Sequence, residues 1–397
     1  MRAAALGAVL ILLGSCTAGS VERQAQAPAP NGGSPDVVHA GEPPPTAIPE
    51  PDDDEEPEAI DDDSGEPDDG AEESAERPSD GEGTTKPHPL DDWSDERVTR
   101  AVAEDIGSLG CMSVGSPSAG LLINGRQADK NELYEPVSRG SAWGTEETFA
   151  YLDAALAKVH RETPDTPPLS LGDISAEHGG RIAPHVSHQA GRDVDIGYFY
   201  KKDARWYRRG NAQNLDIPRN WAFVRALVTE TDVELILIDN SIQALLRDYA
   251  LSIGEDPRWV DSIFKGAGGK YAIVRHARGH ATHIHVRFYN PLAQETARRA
   301  YGSLVARGVI PPVQSFLQHH AKKGDTLGKI SKKYGVSVVA IKRANRLKNS
   351  LIREKRTYLI PVARPRPAAP GRRLTIPPRR LPPADSTNVR AVSSVNP

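Results

Sequence analysis

Two stretches decide the reading of this chain: His185-Val186-Ser187-His188-Gln189-Ala190-Gly191-Arg192-Asp193-Val194-Asp195-Ile196 and His280-Ala281-Thr282-His283-Ile284-His285-Val286-Arg287-Phe288. Of the 12 His in the chain, seven gather as His178, His185 and His188, then His276, His280, His283 and His285, far from random scatter. Imidazole is the commonest metal ligand and titrates near neutral pH. In the first stretch Gly191 allows a turn, after which Asp193, Asp195 and Gly197 alternate with Val194, Ile196 and Tyr198. Period two sets both Asp on one face of a strand and the apolar residues on its core face. His188 sits on the approach loop and can fold back over the Asp face. In the second stretch His283, His285 and Arg287 share a face, while Ile284, Val286 and Phe288 turn to the core. If the two strands are neighbours, His188, Asp195 and His285 converge. Two imidazoles and one carboxylate form a catalytic zinc ligand set with one position open for water. His283 and His185 would flank that water. No Cys lies in either stretch, so a thiolate site is excluded.

Working outward, Glu146 to Arg161 reads as an amphipathic helix, with Phe149, Leu152, Leu156 and Val159 at helical spacing. Leu169 to Ile174, Arg192 to Phe199, Val233 to Ile238, Tyr271 to Val274 and His283 to Phe288 read as strands. Trp221 to Val228 and Ile242 to Tyr249 read as helices. Strands in the middle with helices flanking them predict an α+β fold with a mostly antiparallel sheet.

Composition sets the limits of that fold. Hydrophobic residues are 38% of the 397, below the roughly 45–50% of an ordinary globular domain. All 5 Trp, 11 Tyr and 6 Phe lie between Trp93 and Tyr358, so order is expected from about Trp93 to Pro361. The net charge of −4 conceals an asymmetry. Roughly twenty carboxylates crowd Asp36 to Glu82, and the remainder is basic, ending in an Arg/Pro tail. A basic folded part suits nucleic acid or an anionic polymer such as a cell wall, and charge alone does not choose. Two Cys exclude a disulfide-stapled fold, and the absence of an apolar run of about 18 residues excludes a polytopic membrane protein. Cys111 is expected to be a small packed side chain rather than a nucleophile.

The expected organisation is a leader over 1–16, a disordered acidic Pro-rich linker over 17–92, a catalytic domain over 93–312, a small module over 318–362 and a disordered Arg/Pro-rich tail over 363–397. Met1-Arg2, the apolar Ala3 to Leu13 and Leu13-Gly14-Ser15-Cys16 have the layout of a secretory signal. The ending resembles a bacterial lipobox. That resemblance implies lipidation of Cys16, a membrane anchor, and a place in the cell envelope: the periplasm, with Thr17 after the Cys leaning towards the outer membrane.

Ser187-His188-Gln189-x-Gly191-x-Asp193-Val194-Asp195-Ile196 and His280-x-x-His283-x-His285-Val286-Arg287 resemble the penicillin-insensitive murein endopeptidases, which belong to the LAS metallopeptidases. Gly172-Asp173-Ile174-Ser175 and Gly179-Gly180 resemble the stretch before the first motif. The resemblance spans about Asp105 to Pro291. It implies zinc at His188, Asp195 and His285, His283 as general base, and His185 beside it as a polarising group or extra ligand. His280 is a further site candidate. The implied reaction is zinc-dependent hydrolysis of D-Ala–meso-diaminopimelate cross-links in peptidoglycan, with no Ser or Cys nucleophile. Some members carry several disulfides, and this chain has none available. A D-Ala-D-Ala carboxypeptidase on the same fold is the nearest alternative, and a non-catalytic wall-binding lipoprotein the alternative from another class.

Lys323-Gly324-Asp325-Thr326-Leu327 opens the small module. Leu327, Ile330 and Tyr334 share one helix face, Gly335 can cap that helix, and Ser337 can start a second, Val338 to Asn345. A strand near Gln318 to Ala321 and another over Thr357 to Ile360 complete a βααβ unit. This pattern resembles a LysM domain, which implies binding of N-acetylglucosamine-containing glycan along Gly324, Asp325, Thr326 and Leu327 and about 348–353. Peptidoglycan, and not nucleic acid, is then the expected partner.

Overall fold

The computed structural model describes residues 83–202, 206–266, 271–314, 316–345, 347–354, 356–361 and 373–384. The leader with Cys16, nearly all of the acidic linker, and residues 362–372 and 385–397 lie outside the described residues. Among the described residues, no helix is long and apolar enough to cross a membrane.

Among the described residues, eight α-helices and several sheets make a mixed α and β structure. The elements are α1 (Asp95–Glu104), β1 (Met112–Ser116), β2 (Ala119–Ile123), β3 (Arg126–Gln127), β4 (Tyr134–Pro136), β5 (Trp143–Gly144), α2 (Glu146–Glu162), β6 (Leu169–Leu171), β7 (Asp193–Gly197), α3 (Ile217–Glu230), β8 (Val233–Leu237), α4 (Asn240–Ser252), α5 (Pro257–Phe264), β9 (Val274–Arg275), β10 (His283–Phe288) and α6 (Pro291–Ala306). The small module follows with β11 (Phe316–His320), α7 (Leu327–Tyr334), α8 (Val338–Ala344) and β12 (Thr357–Pro361).

The central sheet has the order β4-β6-β7-β10-β8-β9. Its middle pairs, β6–β7, β7–β10 and β10–β8, are antiparallel, and its two outer pairs, β4–β6 and β8–β9, are parallel. The expected strand over Tyr271 to Val274 starts later, at Val274. In the central pair the register sets His285 opposite Asp195, His283 opposite Gly197 and Arg287 opposite Asp193. The alternation read from the sequence is therefore real: Val194, Ile196, Ile284, Val286 and Phe288 join one core with Phe149, Leu152 and Leu156 of α2 and Phe223 and Leu227 of α3. Each such side chain buried contributes roughly 1.5–3 kcal/mol. The polar face, however, is buried as well, because every residue of β7 and β10 is covered.

Local caps agree with the pattern. Thr145 Oγ1 accepts from Thr148 N at 3.1 Å to start α2, and Asp216, Asp239 and Asp256 start α3, α4 and α5 in the same way. In the module, β11 pairs antiparallel with β12, Thr326 and Ser337 cap α7 and α8, and Gly335 ends α7 at φ 66°. Leu327, Ile330, Ile341, Tyr358 and Ile360 form its small core.

The order expected to begin at Trp93 and end at Pro361 extends further at both ends. Thr84 and Ile376 form an antiparallel bridge with paired backbone bonds of 2.9 and 3.0 Å. Lys86 and Arg379 both reach Asp232, the latter at 3.0 Å, and Tyr151 donates to the same carboxylate at 2.6 Å. Trp259 Nε1 donates to the Arg380 carbonyl at 2.8 Å, and Arg380 donates to the carbonyls of Ser262 and Tyr271. Residues 83–92 and 373–384 thus clasp each other and the body, whereas the sequence reading assigned both to disorder. Aromatic side chains are not needed: Leu90 and Ile376 supply the buried apolar surface, and Arg side chains satisfy backbone carbonyls. Cys111 is half-buried, its Sγ 2.6 Å from the Asn124 carbonyl, and burial raises its thiol pKa.

Candidate metal centre

The residues that point into the polar face of β7 and β10 come from four pieces of chain. Asp195 rises from β7, while His283 and His285 rise from β10. His188 arrives from the preceding loop with φ 62°, an uncommon backbone for a non-glycine residue, held there by its own N–H donating to Asp193 Oδ2 at 3.2 Å. Gly191 turns the chain into β7 at φ 70°, and a β-carbon there would meet Leu122 Cδ1 at 2.8 Å.

Neighbouring acceptors fix which imidazole nitrogens carry hydrogens. His188 Nδ1 lies 3.2 Å from the Ile174 carbonyl, which can only accept, so the proton is on Nδ1 and the Nε2 lone pair faces inward. His185 Nε2 donates to Asp173 Oδ2 at 2.8 Å, leaving Nδ1 turned to the centre, 3.7 Å from Asp195 Oδ2. Ser141 holds the other oxygen of Asp173. His280 Nδ1 lies 3.2 Å from the Arg278 carbonyl, and its Nε2 is buried with no partner. Such carbonyl and carboxylate supports are the usual outer layer of a metal site.

The inward atoms sit close together. His188 Nε2 is 3.1 Å from His285 Nδ1 and 3.2 Å from Asp195 Oδ1, and His285 Nδ1 is 3.0 Å from Asp195 Oδ1. Zinc with bond lengths near 2.0–2.1 Å in a tetrahedron separates its ligands by about 3.3 Å. The observed triangle matches one face of that tetrahedron to within a few tenths of an ångström. His185, His188 and Asp195 also bring their ligand atoms within 4.8 Å of one another, so His185 offers a further donor. A proton on His285 Nδ1 can bridge one of these contacts at a time, whereas a cation among the three atoms satisfies them together, and an N/O donor set of this kind suits a borderline metal such as zinc.

Electrostatics agree. Burial opposes ionisation of Asp195, yet the surrounding imidazoles, His188 first and then His283 and His285, hold its carboxyl well below the usual range. The hydrogen bond from His185, aided by Ser141, keeps Asp173 low against the effect of burial. Burial pushes His283 below the ordinary imidazole range, with Asp195 acting against it, and takes His280 down to about 3, helped by His283 and His285. Both therefore stand as neutral bases at pH 7.

His283 stands beside Asp195, its Nε2 3.7 Å from Asp195 Oδ2 and its Nδ1 2.9 Å from Thr282 Oγ1. Tyr207, 60% exposed and at φ 65°, stacks on it with ring centroids 5.5 Å apart, and Trp206 stands 6.0 Å away. Of the seven clustered His, five meet here. His178 is exposed elsewhere, and His276 is exposed with Nδ1 accepting from Asn240 N at 3.0 Å.

Several participants carried no signal of their own in the sequence. Trp206 and Tyr207 follow no periodic pattern. The pairing of Asp193 with Arg287, at 2.7 and 3.1 Å, shows only once the strand register is known. Asp173 stood in a stretch noted before the first motif, but without a role.

In the small module, Gly324 turns at φ 83°, and Asp325 accepts from Lys322 N at 2.8 Å and from His319 Nε2 at 3.0 Å. Thr326 is the cap of α7. Leu327 does not face a groove: its side chain is 2% exposed and belongs to the module's core, so only its backbone can line one.

The model of the penicillin-insensitive murein endopeptidases matches residues 113–325, and that of the LysM domain matches residues 319–361. Among curated proteins, human LysM and putative peptidoglycan-binding domain-containing protein 1 is 44% identical over 72 residues, 18% of this chain and 32% of that protein. The protein of the same description from Xenopus laevis is 45% identical over 63 residues, 15% of this chain and 29% of that protein. The chain thus spans about a third of the length of these relatives. The endopeptidase match covers more than half of the 397 residues, including both histidine stretches and the loop that carries Trp206 and Tyr207; the chain belongs to the penicillin-insensitive murein endopeptidase family.

Proposed function

We propose that this chain is a zinc-dependent endopeptidase that hydrolyses D-Ala–meso-diaminopimelate cross-links, with His188, Asp195 and His285 as ligands. The observation that carries the reading is the 3.0–3.2 Å triangle of His188 Nε2, His285 Nδ1 and Asp195 Oδ1. Zinc held there supplies Lewis acidity, polarising a carbonyl and acidifying water towards a pKa of about 7. His283 is the general base: neutral and beside Asp195, it takes the proton of the attacking water and returns it to the leaving amine. His185, backed by Asp173, faces the centre through Nδ1 as an extra ligand or, protonated, as a donor to the developing oxyanion. His280 adds a second neutral base behind His283. Trp206 and Tyr207 screen His283 from bulk water.

In the same reading the LysM module, residues 318–362, holds N-acetylglucosamine-containing glycan through Gly324, Asp325, Thr326 and the backbone of Leu327. Residues 93–312 do the cutting, and the linkage raises the local concentration of cross-links. Lipid on Cys16 would place the enzyme in the periplasm, on the outer membrane.

The test is digestion of purified peptidoglycan with and without a chelator, read by mass spectrometry. Chelator-sensitive conversion of cross-linked dimers to monomers is expected. Removal of a terminal Ala alone would replace the endopeptidase by a carboxypeptidase, and intact muropeptides would leave a binding protein. His283→Ala should lose activity and keep zinc, while His188→Ala should lose both. Full zinc in His188→Ala would refute the ligand assignment.

A further inference from the structure

The small module is far more basic than glycan binding requires. Residues 316–361 carry twelve Lys or Arg against two carboxylates, Asp325 and Glu354. Asp325 is engaged within the module by Lys322 N and His319. Among the described residues, no Lys or Arg of the module forms an ion pair within 4.0 Å, and twelve cations against two carboxylates leave the module strongly positive. It is also placed: Lys322 and Lys323 flank the loop that contains Gly324 to Thr326, and Lys348 and Arg353 flank the 348–353 segment, all four exposed. Lys332 and Lys333 extend the same field along α7.

We infer that this basic rim grips the carboxylates of the peptide stems that hang from the glycan strand, so that the module selects anionic peptidoglycan over neutral N-acetylglucosamine polymer. The inference rests on the reading of the module as a peptidoglycan glycan binder. A neutral sugar gives a Lys side chain little beyond hydrogen bonds, whereas a polymer with repeated carboxylates meets several cations at once. One exposed pair contributes little. Several, within a Debye length of about 8 Å of their partners, add up and hasten encounter.

An anionic lipid surface would meet the same charge but lacks a second feature. The apolar faces of α7 and α8, Leu327, Ile330, Tyr334 and Ile341, are spent on the module's core. The exposed apolar side chains, Leu317, Val339 and Leu351, sit one to an element, so neither helix has an apolar face to lay into lipid.

The experiment uses the full chain with chelator present, so that sacculi are bound but not cut. Binding is measured to chitin, to sacculi, to sacculi whose carboxylates have been amidated, and to vesicles containing phosphatidylglycerol. The comparison is with the fourfold variant Lys322→Gln, Lys323→Gln, Lys332→Gln, Lys333→Gln, all exposed and outside the glycan-lining residues, its fold checked by its melting curve. The variant should bind sacculi at least tenfold more weakly and chitin within twofold of wild type. Amidation should weaken wild-type binding to the same degree, and raising NaCl from 50 to 300 mM should erase the difference. Unchanged binding of the variant or of amidated sacculi would overturn the inference, as would equal binding to the vesicles. Failure of the wild-type chain to bind chitin would instead overturn the glycan reading beneath it, and that result needs no variant.

Discussion

Asp193 is the residue whose replacement tests the site most sharply, because it ligates nothing in the proposed scheme. Its Oδ1 accepts from Arg287 Nε at 2.7 Å, and its Oδ2 accepts from Arg287 Nη2 at 3.1 Å and from His188 N at 3.2 Å. Both side chains of the pair are almost wholly buried. Burial works against the charge of Asp193, but Arg287 and the nearby imidazoles hold its carboxyl far below the usual range. Asp193→Asn keeps the shape, loses the charge, and presents an amide group where a donor already stands. Stripping one partner from a buried pair costs roughly 3–5 kcal/mol. In a domain of this size, each kcal/mol lowers the melting temperature by about 2–4 °C, so a fall of about 10 °C is expected. His188 also loses the acceptor that pins its left-handed backbone, and loss of such a support typically weakens metal affinity about 10–100-fold. Calorimetry and zinc titration read the two effects apart. The double variant Asp193→Leu, Arg287→Met should recover most of the melting temperature, since an apolar pair often replaces a buried ion pair without loss. It should not recover zinc affinity. A single variant that melts within about 2 °C of wild type would show that the pair is not the buried anchor described above, and undiminished zinc affinity would refute its role in holding His188.

Three further outcomes are expected. Gly172→Ala would set a β-carbon 2.2 Å from Trp206 Cη2 and 3.2 Å from Asp195 Cβ, so the indole must leave its place beside His283; turnover should fall about tenfold, equivalent to about 1.4 kcal/mol, with zinc retained, and replacing Trp206 by Ala in the same chain should change turnover no further. Ile376→Asp buries a carboxylate at a 2% exposed position of the clasp, so trypsin should cut near Arg379 and Arg380 at least tenfold faster, and an unchanged cleavage rate would mean that the segment is not held there. Burial disfavours the charge of Asp232, but hydrogen bonds from Lys86, Tyr151 and Arg379 outweigh it and hold the carboxyl below its usual range. The stability gained is therefore present above the unfolded value, about pH 4, and is lost as pH falls through the lowered one; pepsin should release the clasp below that pH, and Asp232→Asn should show the loosened clasp already at neutral pH.

Much of the centre was legible because period two is a strong signal. Asp193 to Gly197 and His283 to Phe288 alternate polar and apolar residues so regularly that each strand's faces follow from the letters alone. Their pairing does not: antiparallel register between segments some ninety residues apart is a property of the whole sheet, and with it came the Asp193–Arg287 pair. The parallel outer strands β4 and β9 are three and two residues long, too short to carry a period. Trp206 and Tyr207 lie in irregular chain, where a side chain's place follows from what it packs on, here Gly172 and His283. The clasp was missed for a compositional reason. Segments rich in Pro, Arg and acid have few apolar residues, but Leu90 and Ile376 are well placed, and the backbone carbonyls of Ser262, Tyr271 and Arg380 gain donors from the other segment or the body.

The clasp changes what the LysM module can do in space. A module on a single tether sweeps a sphere. This one leaves the body only after Val313, which donates to Tyr301 and packs beside Ile310, and the chain is back on the body at Arg373, which pairs with Asp91, with eleven residues, 362–372, between. That path spans at most about 40 Å when fully extended. On the proposed reading, a glycan strand seized by the module is therefore held within a bounded distance of His283. On that reading the protein would act as a ruler laid along the strand: cross-links within that distance would be presented for cutting, and those beyond it passed over until the module lets go.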